Sequence, residues 1–230
     1  MTALVVFDFD DTLAMTGQHM ANGFFTGLEV VVREDLGLSF PHFDDFVAHC
    51  RMLNAEEGNT IYGFARRHNR DDAWAQHVGR RISPAMLEGA RGKATLLPHT
   101  LARLDALKAL NCELAMITHG LAEIYTLPML EALGLSPYFP PERVHDIAAM
   151  NGRTKLDPHP YRHVMEMFPE TVFLHHFMLE DSAANLVEAK ANGFTTLLIR
   201  KTPQEHETYV DHSFEDVDAA LAWIVAQVGG

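Results

Sequence analysis

Residues 3–7, Ala-Leu-Val-Val-Phe, form a short apolar run that ends abruptly on acid, in Asp8-Phe9-Asp10-Asp11-Thr12-Leu13-Ala14. A run of this length, rich in β-branched residues, predicts a buried strand. Side chains alternate along a strand, so Asp8 and Asp10 share one side wherever the extended geometry persists. Two carboxylates held together repel, and one of them resists ionisation. A divalent cation relieves that repulsion, and magnesium suits oxygen ligands of this kind beside a phosphate. One carboxylate is then placed to attack phosphorus and the other to move a proton.

The chain after this strand reads in two parts. From 15 to about 94 the apolar residues recur at helical spacing, as in Phe24, Phe25, Leu28, Val31 and Val32. Segments 43–53, 60–68 and 72–82 are amphipathic, and Gly37, Pro41, Gly58, Asn69 and Pro84 punctuate the stretch. No strand is read in it. From Leu97 helix and strand alternate. Helices are expected at 98–110, 121–133, 158–168, 182–192 and 213–228, the last with Ser213 as its N-cap. Strands are expected at 113–118, 143–148, 177–181 and 195–200. Such alternation predicts an α/β fold, a doubly wound parallel sheet with helices on both faces. Its site lies beyond the carboxyl ends of the strands. Residues 1–14 and 95–230 form the expected catalytic core, and 15–94 an inserted helical cap domain.

Charge narrows the partners. Asp and Glu number 31 against 18 Lys and Arg, a formal charge of -13. That surface repels nucleic acid and anionic membranes, so neither is expected as a partner. It also repels phosphate esters, so an anion site has to be built locally. Cys50 and Cys112 match no metal-ligand spacing and are expected as buried thiols. No apolar run approaches the ~20 residues of a membrane span, and the start lacks the basic lead of a signal peptide. A cytoplasmic monomer or homodimer is expected.

Three further strings stand at predicted strand ends. Ile117-Thr118-His119-Gly120 offers a hydroxyl and amides at a helix start, where anions bind. Lys155, within Gly152-Arg153-Thr154-Lys155-Leu156-Asp157-Pro158, offers a point charge for phosphoryl oxygens. Met178-Leu179-Glu180-Asp181-Ser182-Ala183-Ala184-Asn185-Leu186 adds a second acidic pair.

Together the four strings resemble the motifs of the haloacid dehalogenase (HAD) superfamily, over residues 1–14 and roughly 95–230. Val5–Ala14 is similar to its first motif, four apolar residues followed by Asp-x-Asp-x-Thr. The resemblance implies Asp8 as nucleophile and magnesium ligand. It implies Asp10 as general acid and base with its backbone carbonyl on the metal, and Thr12 as a brace of the turn. Thr118, His119 and Lys155 are expected to hold phosphate. Asp181 completes the metal site, Glu180 joins it directly or through water, and Asn185 supports it from behind. His119 replaces the Asn of many relatives, Leu156 the usual proline, and Asn185 the Asp of some.

The implied activity is magnesium-dependent hydrolysis of a small phosphorylated metabolite, such as a nucleoside monophosphate or sugar phosphate, through an aspartyl-phosphate. Asp10 argues against a dehalogenase, which has no alkoxide to protonate. A phosphonate hydrolase needs a cap lysine, and Lys93 is the only candidate. A phosphomutase shares all four motifs, and a non-catalytic phosphate-binding module is the alternative outside enzymes. In the cap, Thr16, Gln18, His19, Arg66, Arg67 and His68 are within reach of substrate, although solvated faces account for them more simply. His159, His163, His175 and His176 make no HExxH site and are read as structural or surface residues.

Overall fold

The apolar run of residues 3–7 becomes the strand β1 (Ala3–Phe7), in the interior of a six-stranded sheet. The structure, a computed structural model, describes residues 2–200 and 207–229. The other strands are β2 (Glu113–Ile117), β3 (Val144–His145), β4 (His175–Glu180), β5 (Thr195–Ile199) and β6 (His212–Phe214). Their order is β3-β2-β1-β4-β5-β6, and every pairing is parallel. The parallel α/β sheet expected from the alternating pattern is thus present.

Alternation along β1 divides the core. Ala3, Val5 and Phe7 join one buried cluster, and Leu4 and Val6 the other. The first contains Leu104 and Leu107 of α5 (Thr100–Ala109), Met129 and Leu130 of α6 (Leu127–Ala132), and Leu221 and Ile224 of α9 (Val217–Gly229). The second contains Tyr161 and Val164 of α7 (His159–Glu166) and Leu186 and Ala189 of α8 (Leu186–Ala191). With both faces covered, the central strand has no need of polar residues.

Between β1 and β2 lie α1 (Gly17–Leu36), α2 (Phe43–Glu57), α3 (Thr60–Arg67) and α4 (Asp72–Ala90). Helices α1 and α4 pack closely through glycine. A Cβ on Gly23 would stand 2.4 Å from the Ala85 carbonyl oxygen, and one on Gly89 2.5 Å from that of His19. Gly58 closes α2 in the left-handed conformation, φ 72°, against the loop that carries Lys155. A Cβ there would meet Thr154 Oγ1 at 2.6 Å. Among the described residues no helix is long and apolar enough to cross a membrane.

Several boundaries differ from those read in the sequence. Pro84 lies inside α4 and does not break it; packing against α1 outweighs the single backbone bond that proline removes. Ser213 caps nothing. It sits in the edge strand β6, and Asp216 caps α9, accepting from the Ala219 amide at 2.8 Å. The expected strand at 143–148 pairs only at Val144 and His145. Asp146 ends it, its carboxylate taking the amides of Ala122 and Ala149, each at 2.8 Å. The first of these bonds anchors a π-helical turn, Ala122–Thr126, that precedes α6 where a continuous helix was expected.

Candidate active site

The chain leaves β1 to build β2 and β3 on one side of it, then returns to build β4, β5 and β6 on the other. Open sheets of this kind bind ligands in the crevice at such a reversal. The expected residues stand at that crevice. Phe7 pairs with Leu179, and the Asp8 amide donates to the Leu179 carbonyl at 2.9 Å, which sets Asp8 beside Glu180. Thr118 follows β2 on the other flank, its amide donating to the His145 carbonyl at 2.9 Å.

Lys155 ties the carboxylates together. Its side chain is 1% exposed. Its Nζ donates to Asp8 Oδ1 and, at 2.7 Å, to Glu180 Oε2. Thr12 Oγ1 donates to Asp8 Oδ2 at 3.0 Å, and the Ser182 amide donates to Glu180 Oε1 at 3.1 Å. Asp8, Glu180 and Asp181 place one ligand oxygen each within 4.8 Å of one another. Three carboxylates against one ammonium leave two negative charges uncompensated, the charge of one divalent cation. The donors are all hard oxygens, which suits a cation of the magnesium or calcium type.

The protonation of the site reflects that imbalance. Burial, with Glu180 alongside, lifts the Asp8 carboxyl from 3.8 to about 7 against the pull of Lys155. Burial, Glu180 and Asp8 lift Asp181 to about 9. Burial works against the Glu180 charge too, but Lys155 together with hydrogen bonds from Asp181 and the Ser182 amide outweighs it and holds Glu180 below its ordinary value. Without a cation, the folded protein therefore holds protons on Asp8 and Asp181 that the unfolded chain gives up near 3.8. More protons in the folded state means that stability falls as pH rises, here from about 4 through about 9. A divalent cation displaces those protons, so the stability it adds is expected to grow with pH. Urea midpoints with magnesium and with EDTA, at about pH 5 and about pH 8, check this. A gain from magnesium that is the same at both values would remove it.

Asp10 stands apart from the acidic cluster. Its Oδ1 accepts from Thr16 Oγ1 and, at 2.7 Å, from Tyr125 Oη. Burial raises its pKa, although both hydroxyls pull the other way. Asp10 thus has one oxygen fixed by two donors and the other left over for a proton. Tyr125 was not anticipated from the sequence. It reaches Asp10 because the π-helical turn rotates it inward, and nothing in Leu121–Leu133 distinguishes that turn from a regular helix.

His119 also has a defined task. Burial and the charge of Lys155 push it down to about 3, so the ring is neutral. Its Nε2 accepts the Lys155 amide at 3.1 Å. Thr118 Oγ1 accepts the Gly120 amide at 3.1 Å. Asn185 contributes a backbone carbonyl, which accepts from Tyr161 Oη; the same hydroxyl donates to the Lys155 carbonyl at 3.2 Å. Tyr161 was likewise not anticipated.

A cavity of about 270 Å³ opens beside Asp10, His119 and Gly120, walled by α1 and α4. Of the cap residues singled out in the sequence, only Thr16 touches the acidic machinery. Gln18 and His19 bond each other at 3.2 Å. Arg66 pairs with Glu57 at 3.1 Å, and Arg67 pairs with Glu56 and Glu57. His68 stacks on Phe64. None of these lines the cavity. His145 and His163 stack at 4.1 Å, and His159 lies against His163.

The family model of the haloacid dehalogenase-like hydrolases matches residues 2–193. No curated protein matches the chain in a sequence comparison. The fold is similar to a HAD phosphatase from Thermococcus onnurineus, at 19% identity and TM-score 0.65, over 97% of this chain and 98% of that one. It is similar to a 2-haloacid dehalogenase from Pseudomonas syringae, at 20% identity and TM-score 0.59, over 99% of each chain. It is also similar to a HAD hydrolase of family IA, variant 3, from Entamoeba histolytica, at 15% identity and TM-score 0.72, over 100% of each. At these identities the likeness is one of fold, and it spans phosphatase and dehalogenase alike. The motif order of Asp8, Thr118, Lys155 and Asp181, the parallel sheet that gathers those residues, and the family match agree: the chain belongs to the haloacid dehalogenase-like hydrolases.

Proposed function

We propose that the chain is a magnesium-dependent phosphomonoesterase that works through an aspartyl-phosphate on Asp8, with a small phosphorylated metabolite as substrate. The observation that carries this is Asp10. A half-buried carboxyl fixed through one oxygen by Thr16 and Tyr125, with its pKa raised, suits a group that delivers a proton to a departing alkoxide. A halide needs no such proton.

In the first step an Asp8 oxygen forms a bond to phosphorus as the ester oxygen departs, and Asp10 gives that oxygen its proton. In the second step Asp10 takes a proton from water, the water oxygen bonds to phosphorus, and the Asp8–phosphorus bond breaks. Lys155 and Thr118 face the phosphoryl oxygens. His119 is assigned to hold the Lys155 backbone rather than to bind phosphate through its ring. Asp8, Asp181 and the Asp10 carbonyl, with Glu180 directly or through water, would hold magnesium, which draws negative charge from the phosphoryl oxygens. Residues 15–94 serve as the cap that supplies the cavity wall and excludes water from Asp8.

A panel of phosphomonoesters tests the reading. Phosphate release is expected with magnesium, to be lost in EDTA, and to be inhibited by calcium. Calcium takes more ligands at longer range than magnesium and would capture both oxygens of Asp8. Full activity after metal stripping would refute the metal requirement.

A further inference from the structure

The cavity beside Asp10 has a composition that phosphoryl chemistry does not call for. Its volume is about 270 Å³, and an apolar cavity of about 150 Å³ holds one benzene ring. The space therefore suits a group of one ring or about two. Helix α1 lines it with Met20, Phe24 and Phe25, helix α4 with Ile82 and Met86, and the turn after β2 with Leu121.

Charge is scarce in this wall. None of the lining residues is lysine or arginine, and the one carboxylate is Asp10. His119 is neutral. The arginines of α3 are bound to glutamates of α2. A second anionic group on the substrate would thus be buried without a counter-charge and beside Asp10. Asn54, Asn59, Thr60, Gln76 and Ser83 also line the cavity, but Asn59 Oδ1 is taken by the amides of Ile61 and Tyr62 and the Thr60 hydroxyl is turned to the Cys50 carbonyl. A polyhydroxylated sugar would therefore bury most of its hydroxyls against methionine, phenylalanine and isoleucine, without a full set of partners. Among the described residues, one buried polar atom of this wall lacks a partner. Tyr62 of α3 is 3% exposed, lines the cavity, and its buried Oη has no hydrogen-bond partner among the described residues.

We infer that the leaving group is an uncharged alcohol with an apolar body of one or two rings, its single polar substituent meeting Tyr62, rather than a sugar. This rests on the phosphomonoesterase reading above and specifies its substrate class.

Benzyl phosphate, 2-(2-naphthyl)ethyl phosphate, ribose 5-phosphate and glucose 6-phosphate all release a primary alcohol, so leaving-group reactivity is comparable among them. With magnesium, kcat/KM is expected to be at least about tenfold higher for the two arylalkyl esters, the scale of discrimination an apolar pocket achieves. Phe24→Ala is expected to shrink the ratio of benzyl to glucose ester by about tenfold, mainly through KM. Met86→Ala serves the same purpose should Phe24→Ala fail to fold. Calorimetry on Asp8→Asn adds a readout free of turnover, in which benzyl phosphate should bind more tightly than glucose 6-phosphate with a negative heat-capacity change. Equal rates, or sugar phosphates preferred, overturn this inference and leave the phosphomonoesterase reading standing. Absence of magnesium-dependent release from every ester overturns both.

Discussion

Asp8→Asn is expected to abolish phosphate release, by about 10⁴-fold or more, the scale on which removal of a nucleophile from a cooperating catalytic unit is felt. The amide cannot bond to phosphorus as a carboxylate does, and it loses its charge toward a cation. The fold should survive. Lys155 retains Glu180 at 2.7 Å as its counter-charge, and the substitution removes one of three crowded acids. Asp10→Asn provides the contrast, since loss of general acid–base help is typically worth about 10²–10⁴-fold. Rapid-quench measurement of bound and free phosphate separates the two. The Asp8 variant should show no covalent phosphate at all, whereas the Asp10 variant should form it slowly and release it slowly. Turnover by Asp8→Asn within tenfold of the parent would take the nucleophile's role away from this residue.

Lys155→Met is expected to cost about 3–5 kcal/mol of stability in the absence of divalent cations, the usual consequence of deleting one partner from a buried ion pair. For a chain of this size that corresponds to roughly 6–20 °C in Tm. The cause is specific. The ammonium, 1% exposed, bridges Asp8 and Glu180 while Asp181 crowds the same space. Deleting it leaves three carboxylates facing one another with no cation. Two consequences distinguish this from a simple packing defect. The loss should be smaller near pH 5, where Asp8 is protonated and neutral, than near pH 8, where it is charged while Asp181 still holds its proton. Magnesium should restore part of it. Melting curves at both pH values, with EDTA and with magnesium, are sufficient. A loss below about 1 kcal/mol, or one that neither pH nor magnesium alters, would mean that the lysine is a spacer.

How much of this was legible follows from what each feature depends on. The strand at 3–7 and its terminal aspartate were readable because a parallel strand buried on both faces has to be apolar throughout, and the switch to acid marks where it leaves the sheet. The cap helices were readable from periodicity, yet Pro84 misled, because its cost is local whereas the α1–α4 contact that overrides it is tertiary. Ser213 misled for the opposite reason. An edge strand of three residues carries too little pattern to compete with a capping residue before an apolar helix. The contacts that set the chemistry were the least legible. Tyr125 reaches Asp10 only through a π-helical turn that Asp146 anchors from 24 residues away. Tyr161 reaches Lys155 and Asn185 through its hydroxyl, though its ring reads as ordinary core. Arg66 and Arg67 read more simply as a solvated face than as substrate contacts, and the structure pairs them with Glu56 and Glu57 of α2.

The interior position of β1 bears on how the molecule is made. Its neighbours in the sheet begin at Glu113 and His175. During synthesis the Ala-Leu-Val-Val-Phe segment emerges long before either neighbour. At about 5–20 residues per second, roughly 10 to 30 s pass before β4 exists to pair with it. Throughout that interval an apolar strand with two open edges is exposed to other nascent chains, and no local hairpin can shield it. The sheet can close only late, from contacts distant in sequence, and a topology of this kind folds more slowly than one built on local contacts. Soluble yield should accordingly respond more to growth temperature and chaperone supply than to substitutions on the helical surface.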